Sequence, residues 1–302
     1  MKSDLSANLA EERGVKQWVL PLLLLPPLFW AGNFIVGRAV RGEIPPLTLA
    51  FDRWVIASLL LLPFAFSAMK RDALKYWQHR WIILLTSVTG VTAFNSFIYV
   101  GLQTTTATNG LILNSFIPLL VTLFTFIVFH QSLRLKQWMA MAISFVGVMM
   151  IVTRASLDVL LNLNFNQGDL IVFCAMICWA IYTLGLKHMP RGMERLGLTT
   201  VQMIIGLVVL TPFYLMELAT GASPIWNVHS ILSLAYIGVV PSVLAYLLYS
   251  SAVAKLGPNK ASMSIHMIPV FGVVLSILFL GESLHWYQIS GMVLIFVGLF
   301  LS

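Results

Sequence analysis

Polar side chains interrupt this chain's apolar stretches at matched spacings. Asn95, Tyr99 and Gln103 lie four residues apart and share one helix face. Ser242, Tyr246, Tyr249 and Ser250 form a second stripe, and the pair Trp30 and Asn33 is echoed by Trp179 and Tyr182. Aromatic faces beside amides and hydroxyls can hold an amphipathic solute, rings against its apolar part and polar atoms against its head. The same groups also serve as interhelical hydrogen bonds and interfacial anchors, and for any one residue that reading stands beside the first. Pro118 and Pro269 fall near the centres of their runs, where each removes a backbone bond and frees a carbonyl, at Asn114 and Ile265. Asn114 and His266 sit beside those freed groups, so kink and polar side chain coincide twice. A midplane imidazole can donate, accept or take a proton, or simply pack. If these polar groups hold a solute, His266→Ala is expected to impair that function while leaving folding intact. Asp52-Arg53 is the one adjacent charge pair inside a run. Arg53 either snorkels outward or lines the mouth and attracts an acidic or zwitterionic solute, as gate or as fold anchor. Glu217, at a helix end, reads as solvated.

Other chemistries find little support. His79, His130 and His188 lie in loops, but no H-E-x-x-H, paired-Asp or G-x-S-x-G pattern accompanies them, which counts against a lipid-modifying enzyme. No G-x-x-x-x-G-K-[ST] cradle is present for ATP-driven work. Cys174 and Cys178 sit four apart in one run and suit neither a structural disulfide nor a metal site. No metal and no cofactor is expected. A channel remains the other alternative; saturable flux accelerated by solute on the far side would argue for a carrier.

The elements that must position these residues follow from composition. The 302 residues are 59% hydrophobic and 10% charged, which excludes a water-soluble globule. The net charge of +7 lies in gaps between apolar runs, so it reads as membrane topology rather than nucleic-acid binding. Ten runs are long enough for helices that cross a bilayer: Trp18–Val36, Pro46–Met69, Trp81–Leu102, Thr106–Phe129, Gln137–Val152, Asp169–Lys187, Leu196–Leu218, Ile231–Ala254, Lys260–Leu280 and His285–Leu301. Fourteen Lys and Arg fall on the side of the N-terminus and three, Arg38, Arg41 and Arg154, on the other, which predicts cytoplasmic termini. Overlaying the halves at an offset of 151 pairs Pro118 with Pro269, Ser132-Leu133 with Ser283-Leu284, Gln137 with Gln288, and Phe145-Val146-Gly147 with Phe296-Val297-Gly298. Nearer the start the offset is 149, pairing Trp30-Ala31 with Trp179-Ala180. An odd number of helices per copy sends the second copy into the membrane from the opposite side, with binding expected near the midplane between halves. Ala140, Ser144, Gly147, Gly291 and Gly298 would pack helices within the chain or join a homodimer.

These stretches resemble the drug/metabolite transporter superfamily, in particular its EamA-type ten-helix members, over essentially the whole chain. The resemblance is carried by Trp30-Ala31-Gly32-Asn33-Phe34, by Pro46 through Arg53, and by Pro269, Leu280-Gly281-Glu282-Ser283-Leu284, Gln288, Gly291 and Gly298. It implies two five-helix EamA repeats that move small metabolites, often exporting amino acids, with aromatic amino acids or amphipathic toxic compounds as cargo in some members. It also implies Trp30, Asn33, Asn95, Tyr99, Trp179, Tyr182, Tyr246 and His266 as cavity residues. One departure is His130-Gln131, where the resemblance expects Gly-Glu; Glu282 keeps the carboxylate in the second half.

The expectation is therefore an all-α membrane protein with ten transmembrane helices in two inverted repeats, residues 17–153 and 168–302. It would be a secondary transporter in the cell's inner (plasma) membrane, partnered by a small-molecule solute and the bilayer. Substrate contact falls to the residues above with Asn114 and Tyr249 added; gating or coupling falls to Asp52, Arg53, Pro118 and Pro269. Proton antiport and facilitated diffusion both remain open.

Overall fold

The computed structural model describes residues 2–105, 110, 113–130, 134–162, 166–190, 192–280 and 283–301. Among these residues the chain is helical, with no strand. The first half holds α1 (Lys2–Ala39), α2 (Pro46–Gln78), α3 (Arg80–Thr86), a π-helical segment Ser87–Ala93, α4 (Phe94–Gly101), α5 (Ile117–Phe129) and α6 (Leu135–Val152). A short α7 (Leu157–Leu161) leads to the second half. There follow α8 (Gln167–Lys187), α9 (Arg195–Ala219), α10 (Val228–Val239), a π-helical segment Val240–Leu244, α11 (Ala245–Leu256), α12 (Pro258–Met263), a 3-10 turn Ser264–His266, α13 (Met267–Leu280) and α14 (Trp286–Leu301).

Local signals set several boundaries. Asn166 and Asp169 form a capping box at the start of α8, and Asn227 with Ser230 does the same for α10. Gly257, at a φ of 86°, ends α11 where other residues would be strained. The apolar run of α2 stops near Met69, but the helix continues to Gln78 because nothing in Lys70–Gln78 breaks it. His130 ends α5 at a φ of 52°, the left-handed region glycine favours, which gives the expected Gly at this position its physical reason.

Two prolines behave differently from the expectation. Pro118 and Pro269 bend no continuous helix; each stands in the first turn of a new one, α5 and α13. Proline lacks an N–H that a first turn leaves spare, so the chain interrupts the helix ahead of it. The start of the fourth run (106–109 and 111–112), Gln131, Ser132-Leu133 and Gly281-Glu282 lie outside the described residues.

Seven described helical stretches are long and apolar enough to cross a membrane, and α5 and α14 are shorter apolar helices. Large apolar side chains such as Phe64, Phe213, Ile127 and Phe300 face outward, as lipid-facing residues do. The packing is internally matched. α6 lies along α14 and α2 along α9. α1 packs on α11 and α13, and α8 packs on α4 and α5 in the same way. The small-residue seam is used inside the chain: Gly147 abuts the Gly291 backbone, and Gly298 abuts Ala140 and Ser144.

Candidate functional site

The centre of the molecule is organised by its two π-helical segments. A π-turn inserts a residue into the helix and misaligns the backbone ladder, so carbonyls become available to side chains. In the first half, Gly90 O accepts from Asn95 Nδ2 at 3.3 Å and from Tyr246 OH at 2.6 Å. Val91 O accepts from Asn95 Nδ2 at 3.2 Å and Trp54 Nε1 at 3.1 Å. In the second half, Ile237 O accepts from Ser242 Oγ at 2.6 Å, and Pro241 O accepts from Trp30 Nε1 at 3.3 Å. Sequence reasoning missed both segments. The available signal was Gly90 and Pro241, the two poorest helix formers, 151 residues apart in equivalent places.

Aromatic rings from both halves meet on these supports. Trp30 stands edge-on to Trp179 with centroids 5.0 Å apart and to Tyr249 at 5.3 Å. Trp179 in turn meets Tyr246 at 5.4 Å, Tyr182 at 5.1 Å and Phe94 at 4.5 Å. Tyr249 OH and Thr183 Oγ1 share a hydrogen bond of 2.9 Å. Several of these contacts join residues that the repeat makes equivalent: Trp30 with Trp179, and Asn95 with Tyr246 through a 2.9 Å bond.

Arg53 is only 1% exposed, so the snorkelling option is excluded. It donates from Nε to Ser242 Oγ at 2.8 Å, and from Nη1 to Asn95 Oδ1 at 2.7 Å and Tyr99 OH at 2.5 Å. Its guanidinium also lies 4.9 Å from the Trp54 ring centroid and 5.7 Å from that of Tyr99. Among the described residues no carboxylate pairs with it. Asp52 points elsewhere, to a half-buried flank beside Tyr214.

A cavity of about 20 Å³ lies against this network. Trp30, Asn33, Asn95, Asn114 and Trp179 line it, together with Phe34, Phe94, Ile98, Ile117, Ile265 and Ile268, which sequence reasoning did not single out. Tyr99, Tyr182, Tyr246 and Tyr249 stand behind that lining. That is room for roughly one water and too little for a metabolite. His266, expected among the cavity residues, is outside the lining of this cavity. Its Nε2–H donates to Ser115 O at 3.1 Å, because a carbonyl only accepts, and its Nδ1 shares a 2.7 Å hydrogen bond with Ser144 Oγ. A fully buried imidazole thus ties the residues before α13 to α6. His266→Ala removes both bonds and leaves a hole, at roughly 1–3 kcal/mol. Contrary to the earlier expectation, that variant should lose several degrees of Tm in detergent, which a thermal melt checks.

The comparisons with known proteins bear on what such a chamber serves. The profile of the EamA-like transporter family matches residues 17–153 and, a second time, 166–302. The chain belongs to this family. YyaM of Bacillus subtilis (strain 168), named as an uncharacterized transporter, is 28% identical over 286 residues, covering 92% of this chain and 90% of its own. A Salmonella typhimurium (strain LT2) protein named as a probable amino-acid metabolite efflux pump is 25% identical over 297 residues, 93% of each chain. One solved crystal structure superposes with a TM-score of 0.73 over 95% of this chain and 96% of its own at 13% identity, which shows a shared fold. The protein is a multi-pass membrane protein of a transporter family.

In this EamA-like transporter, α2 and α9 each complete the other's N-terminus. Neither Pro45 nor Glu194 caps its own helix with a side chain. Glu217, near the end of α9, instead accepts from Leu47 N at 3.0 Å, Thr48 N at 2.6 Å and Thr48 Oγ1 at 2.8 Å at the start of α2. At the opposite end, Asp72 of α2 accepts from Glu194 N at 3.2 Å, with Lys75 Nζ 2.8 Å away. Arg71 adds a 2.8 Å ion pair to Glu194. The expectation that Glu217 is merely solvated is corrected: its carboxylate meets the unpaired N–H groups and the positive end of a helix in the other half.

Proposed function

We propose that this chain is a secondary carrier that exports small amphipathic metabolites, amino acids or related compounds, across the cell's inner (plasma) membrane. Transport would run by alternating access between two inverted five-helix repeats, ten membrane helices in all, with both termini cytoplasmic. One observation carries the reading: an aromatic and amide-lined chamber is built from both halves at once, with equivalent residues facing each other. Residues on a pseudo-two-fold axis must touch their own counterparts, and Trp30 with Trp179, Asn95 with Tyr246, and Ser115 with His266 do so. The matched packing of α1 on α11 and α8 on α4 supports the same symmetry. The fourteen-to-three distribution of Lys and Arg supports the orientation.

The two helix-end carboxylates fit the role of gates. Glu217 closes one face and Asp72 the other, and both are engaged around a chamber too small for solute. Among the described lining residues none is a carboxylate or an imidazole. Solute flux is therefore expected to be insensitive to an imposed pH gradient, which favours facilitated diffusion or exchange over proton antiport.

Reconstituted vesicles test this. Preloading with an unlabelled amino acid should accelerate uptake of the labelled one, saturably, and equally with and without a pH gradient. Flux that never saturates and ignores the trans solute would make the protein a channel. Flux that rises with the gradient would restore proton coupling.

A further inference from the structure

The hydrogen-bond directions around Arg53 fix what the chamber offers a solute. An arginine only donates, so Tyr99 OH must accept from it and has its own proton left to give. That proton goes to Asn33 Oδ1 at 3.0 Å. The Asn33 amide is thereby oriented, and the Nδ2 group of this lining residue has no hydrogen-bond partner among the described residues. Asn95 has no donor left for the cavity: its Oδ1 accepts from Arg53, and its Nδ2 serves Gly90, Val91 and Tyr246. Trp30 has given its N–H to Pro241, while the buried Nε1–H of Trp179 is directed to the Tyr249 hydroxyl and makes no bond of full geometry among the described residues. The free polar capacity on these walls is the Asn33 donor and the Asn114 amide, whose donor and acceptor atoms both make no hydrogen bond among the described residues. Behind it stands a buried cation whose three protein partners are all neutral and whose Nη2 makes no hydrogen bond among the described residues.

Holding Ser242, Asn95 and Tyr99 together does not need a charge, and burying one costs several kcal/mol. The charge does, however, set the sign of the potential in the chamber, where low dielectric and the absence of a described counter-ion leave it weakly screened. We propose that the chamber is selective for a carboxylate: its solute is a compact acid with an apolar or aromatic body, seated with the carboxylate toward Asn33 and Trp179 and the body against the rings. Arg53 acts as a positioning residue, orienting Asn33 through Tyr99 and making the site repel organic cations. This deepens the carrier reading and rests on it, since it takes the chamber as the solute's site.

The test uses one carbon skeleton with different heads: 3-phenylpropanoate, phenylalanine, phenylalanine amide and 2-phenylethylamine. Thermal stabilisation of the purified protein and competition against labelled phenylalanine in vesicles should both rank the two acids at least about tenfold above the amide and the amine. In Arg53→Gln that preference should collapse to within about twofold. Asn33→Asp keeps an acceptor for Tyr99 and a similar volume but replaces the free donor with an anion; it should invert the ranking, and it serves if Arg53→Gln fails to fold. Equal binding of the amine and the acids by the wild-type protein would overturn the inference while leaving a carrier standing, as would an acid preference that survives in Asn33→Asp. Acid-selective binding without saturable counterflow would leave the carboxylate site standing and overturn the carrier reading instead.

Discussion

Glu217→Gln is expected to open the chamber toward the face that is the outer one in the proposed orientation. The carboxylate binds two backbone N–H groups and a hydroxyl at the start of α2, all of them in the other half of the molecule. Charge-assisted bonds of this kind contribute about 1.5–3 kcal/mol in total effect, which is about ten- to a hundredfold in the population of the closed state. The measurement is sidedness of labelling. With Cys174 and Cys178 replaced by serine, Asn114→Cys places a thiol in the cavity lining. An impermeant maleimide should label it at least about tenfold faster from outside once Glu217 is changed, with no gain from the cytoplasmic side. Asp72→Asn should do the converse from the cytoplasmic side, by a smaller factor because Arg71 and Lys75 remain to bridge the same ends. Acceleration on the same face by both variants, or on neither, would refute the gate assignment.

These two helix-end carboxylates show where sequence reasoning ends. Residues that share a helix face were legible: the spacing of Asn95 and Tyr99 and the echo of Trp30 in Trp179 follow from helical period and repeat, and the structure gathers all four. A helix wheel gives direction without naming the neighbour. Arg53 was therefore open between lipid and mouth, and only the arrival of Ser242, 189 residues away, settles its place. Glu217 lay at a helix end, where solvation is the ordinary fate; its partner Thr48 is 169 residues distant. The prolines were recognised as breakers, but whether a breaker bends a helix or starts one depends on the turn that precedes it. The π-helical segments left only a faint trace in Gly90 and Pro241, because a π-turn is held by tertiary partners such as Trp54 and Tyr246.

The seam between α6 and α14 carries the other large effect. A side chain at Gly147 would place its Cβ 2.6 Å from the Gly291 carbonyl, and one at Gly298 would sit 2.6 Å from the Ala140 carbonyl. These are equivalent contacts in the two repeats, and both obstacles are backbone, which no rotamer change removes. Gly147→Leu and Gly298→Leu should each force the helices apart, at the upper end of the ~1–3 kcal/mol usual for overpacking or beyond it. Gly272→Leu is the control, since a Cβ there meets nothing within 4 Å. Thermal melts should show similar large losses of Tm for the two seam variants and little change for the control. If the stripe instead joins two copies of the chain, Gly298→Leu would dissociate a dimer while the monomer kept its Tm, and size measurement beside the melt distinguishes the two. Equal losses at positions 147 and 298 would follow directly from the symmetry, because the carbonyls they face, at Gly291 and Ala140, are themselves equivalent in the two repeats.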